Sequence, residues 1–217
     1  MNFTAIDFET GNAYYTSACS IGVSVFNDGQ PVRQYVRLIR PPESVGPFHW
    51  YNIKIHGIRR SMVANEPDFA GLWPDLRGDI DGRVLACHNA MFDTAVLRKC
   101  LELYGIPLPR CRYICTVKVA QKLWPELENH KLDTVSAALH IPLNHHEAGS
   151  DAHACGLILR QALLETGCPT VEALAERLDI RLGEISPEGC LSCSSAKQNA
   201  PSRRSNRPKL SSKERSL

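Results

Sequence analysis

Apolar and polar positions follow a strand-like rhythm early in the chain and a helix-like one later. Phe3 to Phe8 is a short apolar run rich in strand formers, and Cys19 to Phe26 and Val32 to Ile39 alternate as half-buried strands do. Gly11 to Thr16 makes a polar turn after the first run, and Asn27-Asp28-Gly29 predicts a hairpin turn between the next two. These three strands form an expected antiparallel meander, which Pro41-Pro42 ends. A loop holding Gly46, Pro47, Phe48, His49 and Trp50 leads into Ile55-His56-Gly57-Ile58. Asp68 to Asp79 has helical spacing at Phe69, Leu72 and Leu76, shortened or kinked by Pro74. Arg83 to Cys87 reads as a fourth strand, followed by a helix from about Ala90 to Tyr104 that Gly105 and Pro107 terminate. Arg112 to Cys115 is a fifth strand, and Thr116 to Leu123 and Leu132 to His140 read as helices. His145 and His146 fall in a loop, Ser150 is expected to cap a long helix reaching about Glu165, and Thr170 to Leu178 forms the last helix. Strands first, then strands alternating with helices, predict an α/β fold with a mixed sheet flanked by helices.

At 217 residues, with 43% apolar and 22% charged residues, the chain suits one ordinary globular domain. No apolar run approaches a membrane span, and the N-terminus enters a strand without an apolar leader, so a cytoplasmic protein is expected. The nine cysteines are an odd number, and Cys19, Cys87, Cys100, Cys115 and Cys155 sit in apolar stretches, which fits buried thiols better than a disulfide framework. Cys190 and Cys193 form a lone C-x-x-C with no second pair, half of a zinc or redox motif. The overall charge of +2 hides an asymmetry: from Ala196 onward seven Lys/Arg face Glu214 alone, a net +6, which leaves −4 on the preceding part. Such a basic, Ser- and Pro-containing tail cannot bury a core and is expected to be disordered. It either lends unspecific affinity for a phosphate backbone or is simply solvated.

The chemistry starts at Ile6-Asp7-Phe8-Glu9-Thr10. On a strand, residues two apart point the same way, so Asp7 and Glu9 share a face. Adjacent carboxylates at the end of a core strand repel each other unless something neutralises them, and a hard divalent cation such as Mg²⁺ or Mn²⁺ would do so. An exposed acidic pair at a strand edge is the alternative. Asp93 lies near the start of the fourth strand's helix, and Asp151 is expected at the first position of the long late helix, where its dipole favours negative charge. Singly each is a helix-start acid; together with Asp7 and Glu9 they make four carboxylates where α/β folds gather their sites. His146 stands five residues before Asp151.

Asp7-x-Glu9, His88-Asn89-Ala90-x-Phe92-Asp93 and His146-x-Ala148-x-x-Asp151-Ala152 resemble, in order and separation, the three motifs of DnaQ-like (DEDDh) 3′→5′ exonucleases. The branch that carries tyrosine in place of histidine would have it at position 147, which is Glu147 here. Chain size and Trp124-Pro125 look most like the exonuclease X and proofreading epsilon-subunit types. The resemblance covers about residues 1–180 and leaves 181–217 as an extension with no catalytic counterpart. It implies a ribonuclease H-like fold and two Mg²⁺ or Mn²⁺ ions held by Asp7, Glu9, Asp93 and Asp151, with His146 as general base. Phe8 and Thr10 would hold the terminal nucleotide, while Asn89 with His88 would orient the loop carrying Asp93 and Phe92 would adjoin the substrate. His56 is either a substrate contact or structural, and Phe48, Trp50 and Tyr51 either stack on an unpaired base or pack. The expected reaction releases nucleoside 5′-monophosphates from single-stranded or frayed 3′ ends of DNA. An RNA-trimming enzyme of the same family and a catalytically silent nucleic-acid-binding module are the rivals, and a polymerase or repair protein is a possible partner, although no clamp-binding motif is visible.

Overall fold

The computed structural model describes residues 1–195; the basic tail expected from about Ala196 lies outside the described residues. β1 (Phe3–Thr10), β2 (Ala18–Asn27) and β3 (Gln30–Leu38) form the antiparallel meander. Its hairpin turns at Asp28 and Gly29, whose φ of 50° and 76° are the left-handed values that a tight two-residue hairpin needs. β4 (Val84–Cys87) runs parallel to β1, and β5 (Cys111–Cys115) parallel to β4. Helices α1 (Trp50–His56), α2 (Arg60–Val63) and α3 (Phe69–Ile80) lie between β3 and β4, and α4 (Ala90–Leu103) joins β4 to β5. After β5 come α5 (Thr116–Leu123), α6 (Leu132–Ala138), α7 (Ala148–Thr166) and α8 (Val171–Arg177). Beyond them β6 (Ile180–Arg181) pairs with β9 (Ser194–Ser195), while β7 (Gly183–Ser186) and β8 (Gly189–Leu191) extend the main sheet to seven strands in the order β3-β2-β1-β4-β5-β7-β8. Among the described residues no helix is long and apolar enough to cross a membrane.

Alternation along β1 divides the core in two. Ile6 and Phe8 face the layer of α3 and α4, packing with Phe69, Leu72, Leu76, Val96, Leu97 and Leu101. Phe3 and Ala5 face the other way, onto Cys155, Ile158 and Leu159 of α7. By the same period, Asp7 and Glu9 belong to the α7 face. That helix lies against the sheet with no room for a side chain where two glycines meet the contact. A Cβ on Gly22, the register partner of Asp7 on β2, would come 1.9 Å from the Ala148 carbonyl oxygen, and one on Gly156 would come 2.2 Å from the Phe26 ring.

Four local expectations are corrected. The segment read as a loop around Trp50 is helical: the His49 ring caps α1 by accepting from Tyr51 N, and Gly57 closes it at φ 75°. α3 runs unbroken through Pro74, with Asp68 accepting from Gly71 N as its cap. Glu147, not Ser150, caps α7 by accepting from Gly149 N and Ser150 N, so Asp151 stands on the fourth helical residue rather than the first. The Ser150 hydroxyl instead accepts from Asn144 N at 2.8 Å. The strands after Ile180 had no sequence signal of their own: they are two to four residues long, too short for a period to show.

Candidate active site

The α7 face of β1 brings Asp7 and Glu9 to Asp151, and Asp93 joins them from α4. Asp7, Glu9 and Asp151 offer carboxylate oxygens that all lie within 4.8 Å of one another. Asp93 is fixed to the same strand by a different route. β4 pairs with β1 only at Thr4 and Ala5, so the N–H groups further along β1 have no strand partner on that side. Asp93 Oδ1 takes one of them, accepting from Phe8 N at 2.9 Å, which ties its carboxylate to the backbone between Asp7 and Glu9. Asp151 Oδ2 accepts from His146 N at 2.9 Å, while its Oδ1 is buried with no hydrogen-bond partner.

Such a group is electrostatically expensive as it stands. Burial, reinforced by Asp93, Asp151 and Glu9, holds the Asp7 carboxyl well above the ordinary carboxylate range. Burial, then Asp151 and Asp93, pushes Glu9 up to about 8. Burial raises Asp93 to about 7, although the Phe8 N–H opposes it, and raises Asp151 to about 6 against the His146 N–H. Carboxyls crowded together in a buried site resist ionisation unless bound positive charge offsets them. The donors are all hard oxygens, and one is an orphaned buried atom, so the set suits Mg²⁺ or Mn²⁺.

His146 stands beside this cluster on the loop before α7, in a left-handed conformation (φ 69°) that its backbone bond to Asp151 holds in place. Its ring stacks on His145 with centroids 3.9 Å apart, and His145 Nε2 lies 4.0 Å from Asp151 Oδ2. Burial and the neighbouring His145 lower the His146 pKa, so the ring is neutral at neutral pH. His88 serves as a strut. Its Nδ1 meets the Thr116 hydroxyl at 2.9 Å and its Nε2 the His130 carbonyl at 3.0 Å, and burial pushes its pKa down to about 4.

The remaining candidates separate. Phe8 contributes its backbone here, since its ring is buried in the opposite core. The Thr10 side chain is buried, and its carbonyl accepts from Asn52 Nδ2 at 2.9 Å and His56 Nε2 at 3.1 Å. With its Nδ1 accepting from Ile58 N, His56 is a neutral ring clamping the end of β1 to α1. Asn89 is exposed, left-handed at φ 72°, and makes no capping bond, and Phe92 sets its ring edge-on to Tyr15. Trp50 and Tyr51 stay exposed, whereas Phe48 packs against the small cluster of Cys19, Ile58 and Val63. A cavity of about 520 Å³ opens over the carboxylates, lined also by Asn89, Phe92 and His146 and by Gln121, His130, Lys131 and His145. Those last four come from the α5–α6 region and the loop before α7; only His145, beside His146, had a neighbour in the sequence to point to it.

Three comparisons bear on the site. The model of the RNase_T exonuclease family matches residues 4–159. The 3′-5′ exonuclease DinG of Bacillus subtilis is 30% identical over 165 residues, covering 74% of this chain and 17% of that protein. A PolC-type DNA polymerase III of Lacticaseibacillus paracasei is 27% identical over 183 residues, covering 81% of this chain and 12% of the polymerase. The chain thus spans less than a fifth of the length of these curated relatives. Exonuclease X, solved in complex with 5′-overhanging duplex DNA, superposes with a TM-score of 0.65 at 24% identity over 81% of this chain and 99% of its own, which places the fold among the ribonuclease H-like exonucleases.

Proposed function

Since the chain belongs to the RNase_T family of DnaQ-like 3′-5′ exonucleases, we propose that it is itself a metal-dependent 3′→5′ exonuclease of the DEDDh type acting on DNA. The observation that carries this reading is the convergence of Asp7, Glu9, Asp93 and Asp151 from a strand and two helices, with an orphaned buried oxygen on Asp151. These four residues would hold two Mg²⁺ or Mn²⁺ ions, which when bound supply Lewis acidity for the attacking and leaving oxygens of a phosphodiester. His146, neutral and at the rim of the cluster, takes the proton from the attacking water. Phe92 and the exposed Asn89 line the space where the terminal nucleotide lies, and the neutral His56 keeps the end of β1 in position from behind. We take residues 1–180 as the exonuclease domain and the PolC-type relatives as grounds for a polymerase or repair partner.

The test is digestion of 5′-labelled single-stranded DNA and RNA with Mg²⁺ or Mn²⁺, wild type beside Asp7→Ala and His146→Ala. A ladder shortening from the 3′ end of DNA, lost in both variants, is expected. Faster degradation of RNA would move the substrate assignment, and retained strand binding without any ladder would leave a silent binding module.

A further inference from the structure

A second cavity of about 500 Å³ adjoins the first, with Asn89, Val117 and Gln121 lining both. One side is α4 and α5; the other is the β7–β8 hairpin and the turn after it, residues beyond the 4–159 span of the family match. The hairpin is held rigidly in that position. β7 pairs with β5, Tyr113 donates to the Leu191 carbonyl at 3.1 Å, and Arg110 is paired with Glu188 at the turn. Gly183 is required there, because a Cβ would fall 2.1 Å from the Tyr113 ring.

The cavity's charge is the reverse of its neighbour's. Arg98 and Lys118 line it, partly buried, and no Asp or Glu does. The ion pairs nearest in sequence, Lys99–Glu102 and Arg112–Glu172, leave both cations out, and among the described residues neither side chain has an ion-pair partner. Apolar Met91 and Leu191, both largely exposed, flank them. Two unpaired cations, apolar surface and free amides, continuous with a site that takes the end of a strand, suit a polyanion carrying flat bases.

We propose that this hairpin-walled cavity is a subsite for the DNA strand on the 5′ side of its terminal nucleotide, with Arg98 and Lys118 holding the backbone phosphates. The proposal rests on the exonuclease reading. Its test separates the two by substrate size. In an Arg98→Gln/Lys118→Gln double variant, fluorescence anisotropy with an oligothymidylate strand and Ca²⁺ is expected to show affinity roughly tenfold lower, and a salt slope smaller by about 1.4 for two lost phosphate contacts on a single strand. Hydrolysis of the p-nitrophenyl ester of thymidine 5′-monophosphate, which has no upstream backbone, is expected to match wild type. Met91→Glu, at the open rim, is expected to weaken strand binding in the same direction without altering the unfolding temperature. Unchanged affinity and slope would overturn the subsite, as would an equal loss on strand and ester. If wild type hydrolyses neither substrate, the exonuclease reading fails, and the anisotropy series still decides whether the cavity holds the strand.

Discussion

At the scale of single residues, the carboxylate cluster ties stability to function. Glu9, Asp93 and Asp151 ionise at about 8, 7 and 6 in the folded chain, whereas their ordinary values are 4.5, 3.8 and 3.8. The folded protein therefore keeps protons that the unfolded chain has released, so the stability these groups allow is full below about pH 4 and lost as pH rises to about 8. His88, held down to about 4, works in the opposite sense, as do the lowered His56, His146 and His153, but only below the ordinary histidine value of 6.5. From pH 6.5 to 8 the carboxylates dominate. With chelator present, the unfolding temperature is expected to fall across that interval by roughly 2–4 °C, on the order of 1 kcal/mol. Mg²⁺ or Mn²⁺ should raise it more at pH 8 than at pH 6.5, and a shift independent of pH in differential scanning fluorimetry would count against cation binding at these residues. His146 holds no cation in this scheme. His146→Ala is expected to lower turnover by about 10²–10⁴-fold while keeping the metal-induced shift, a pairing that Asp7→Ala would not reproduce.

Between elements, the site depends on how closely α7 approaches the sheet. The Asp151 carboxylate reaches Asp7 and Glu9 because the first turn of α7 rests on Gly22, directly across β2 from Asp7. Gly22→Ala would force the Ala148 carbonyl away, and overpacking of this kind costs about 1–3 kcal/mol. Thermal unfolding should register that loss, and turnover should fall about 100-fold as the carboxylates separate. Gly78→Ala is the contrast: Gly78 is exposed on α3, and an added Cβ there meets nothing within 4 Å. It should stabilise by about 0.5–1 kcal/mol with activity unchanged. A buried carboxylate, Asp79 on α3, fixes the opposite edge of the sheet by accepting from the Tyr35 hydroxyl at 2.7 Å and pairing with Arg33, both on β3.

Across the whole molecule, acidic and basic charge are set apart. The body carries the cation-demanding cluster, and the net charge of +6 from Ala196 onward belongs to the tail. Deleting residues 196–217 should leave turnover on a short oligonucleotide nearly intact but weaken binding at low salt, and an affinity unchanged across a salt series would remove the tail from any role in binding.

The motifs Asp7-x-Glu9, His88 to Asp93 and His146 to Asp151 were readable from the linear chain because each is local: a strand period or a helix start fixes which atoms share a face. The meander, its hairpin turn and the alternation of later strands with helices were legible for the same reason. Other features depended on contacts between distant residues. Phe8 N–H finds Asp93, eighty-five positions further along the chain, only because β4 pairs with β1 no further than Ala5. Glu147 caps α7 in place of Ser150 because the helix begins at Ala148, which puts Ser150 on its third residue and leaves its hydroxyl to Asn144 N. The exposed run at Trp50 carried no helical stripe, since α1 buries none of its residues fully. The hairpin after Ile180 had strands too short to show a period, and its place came from Tyr113 and an open sheet edge beside β5. Residue types and local spacing thus set the chemistry available to this chain, while packing across the sheet decided which groups meet, how far their pKa values move, and that a second, cationic cavity opens beside the first.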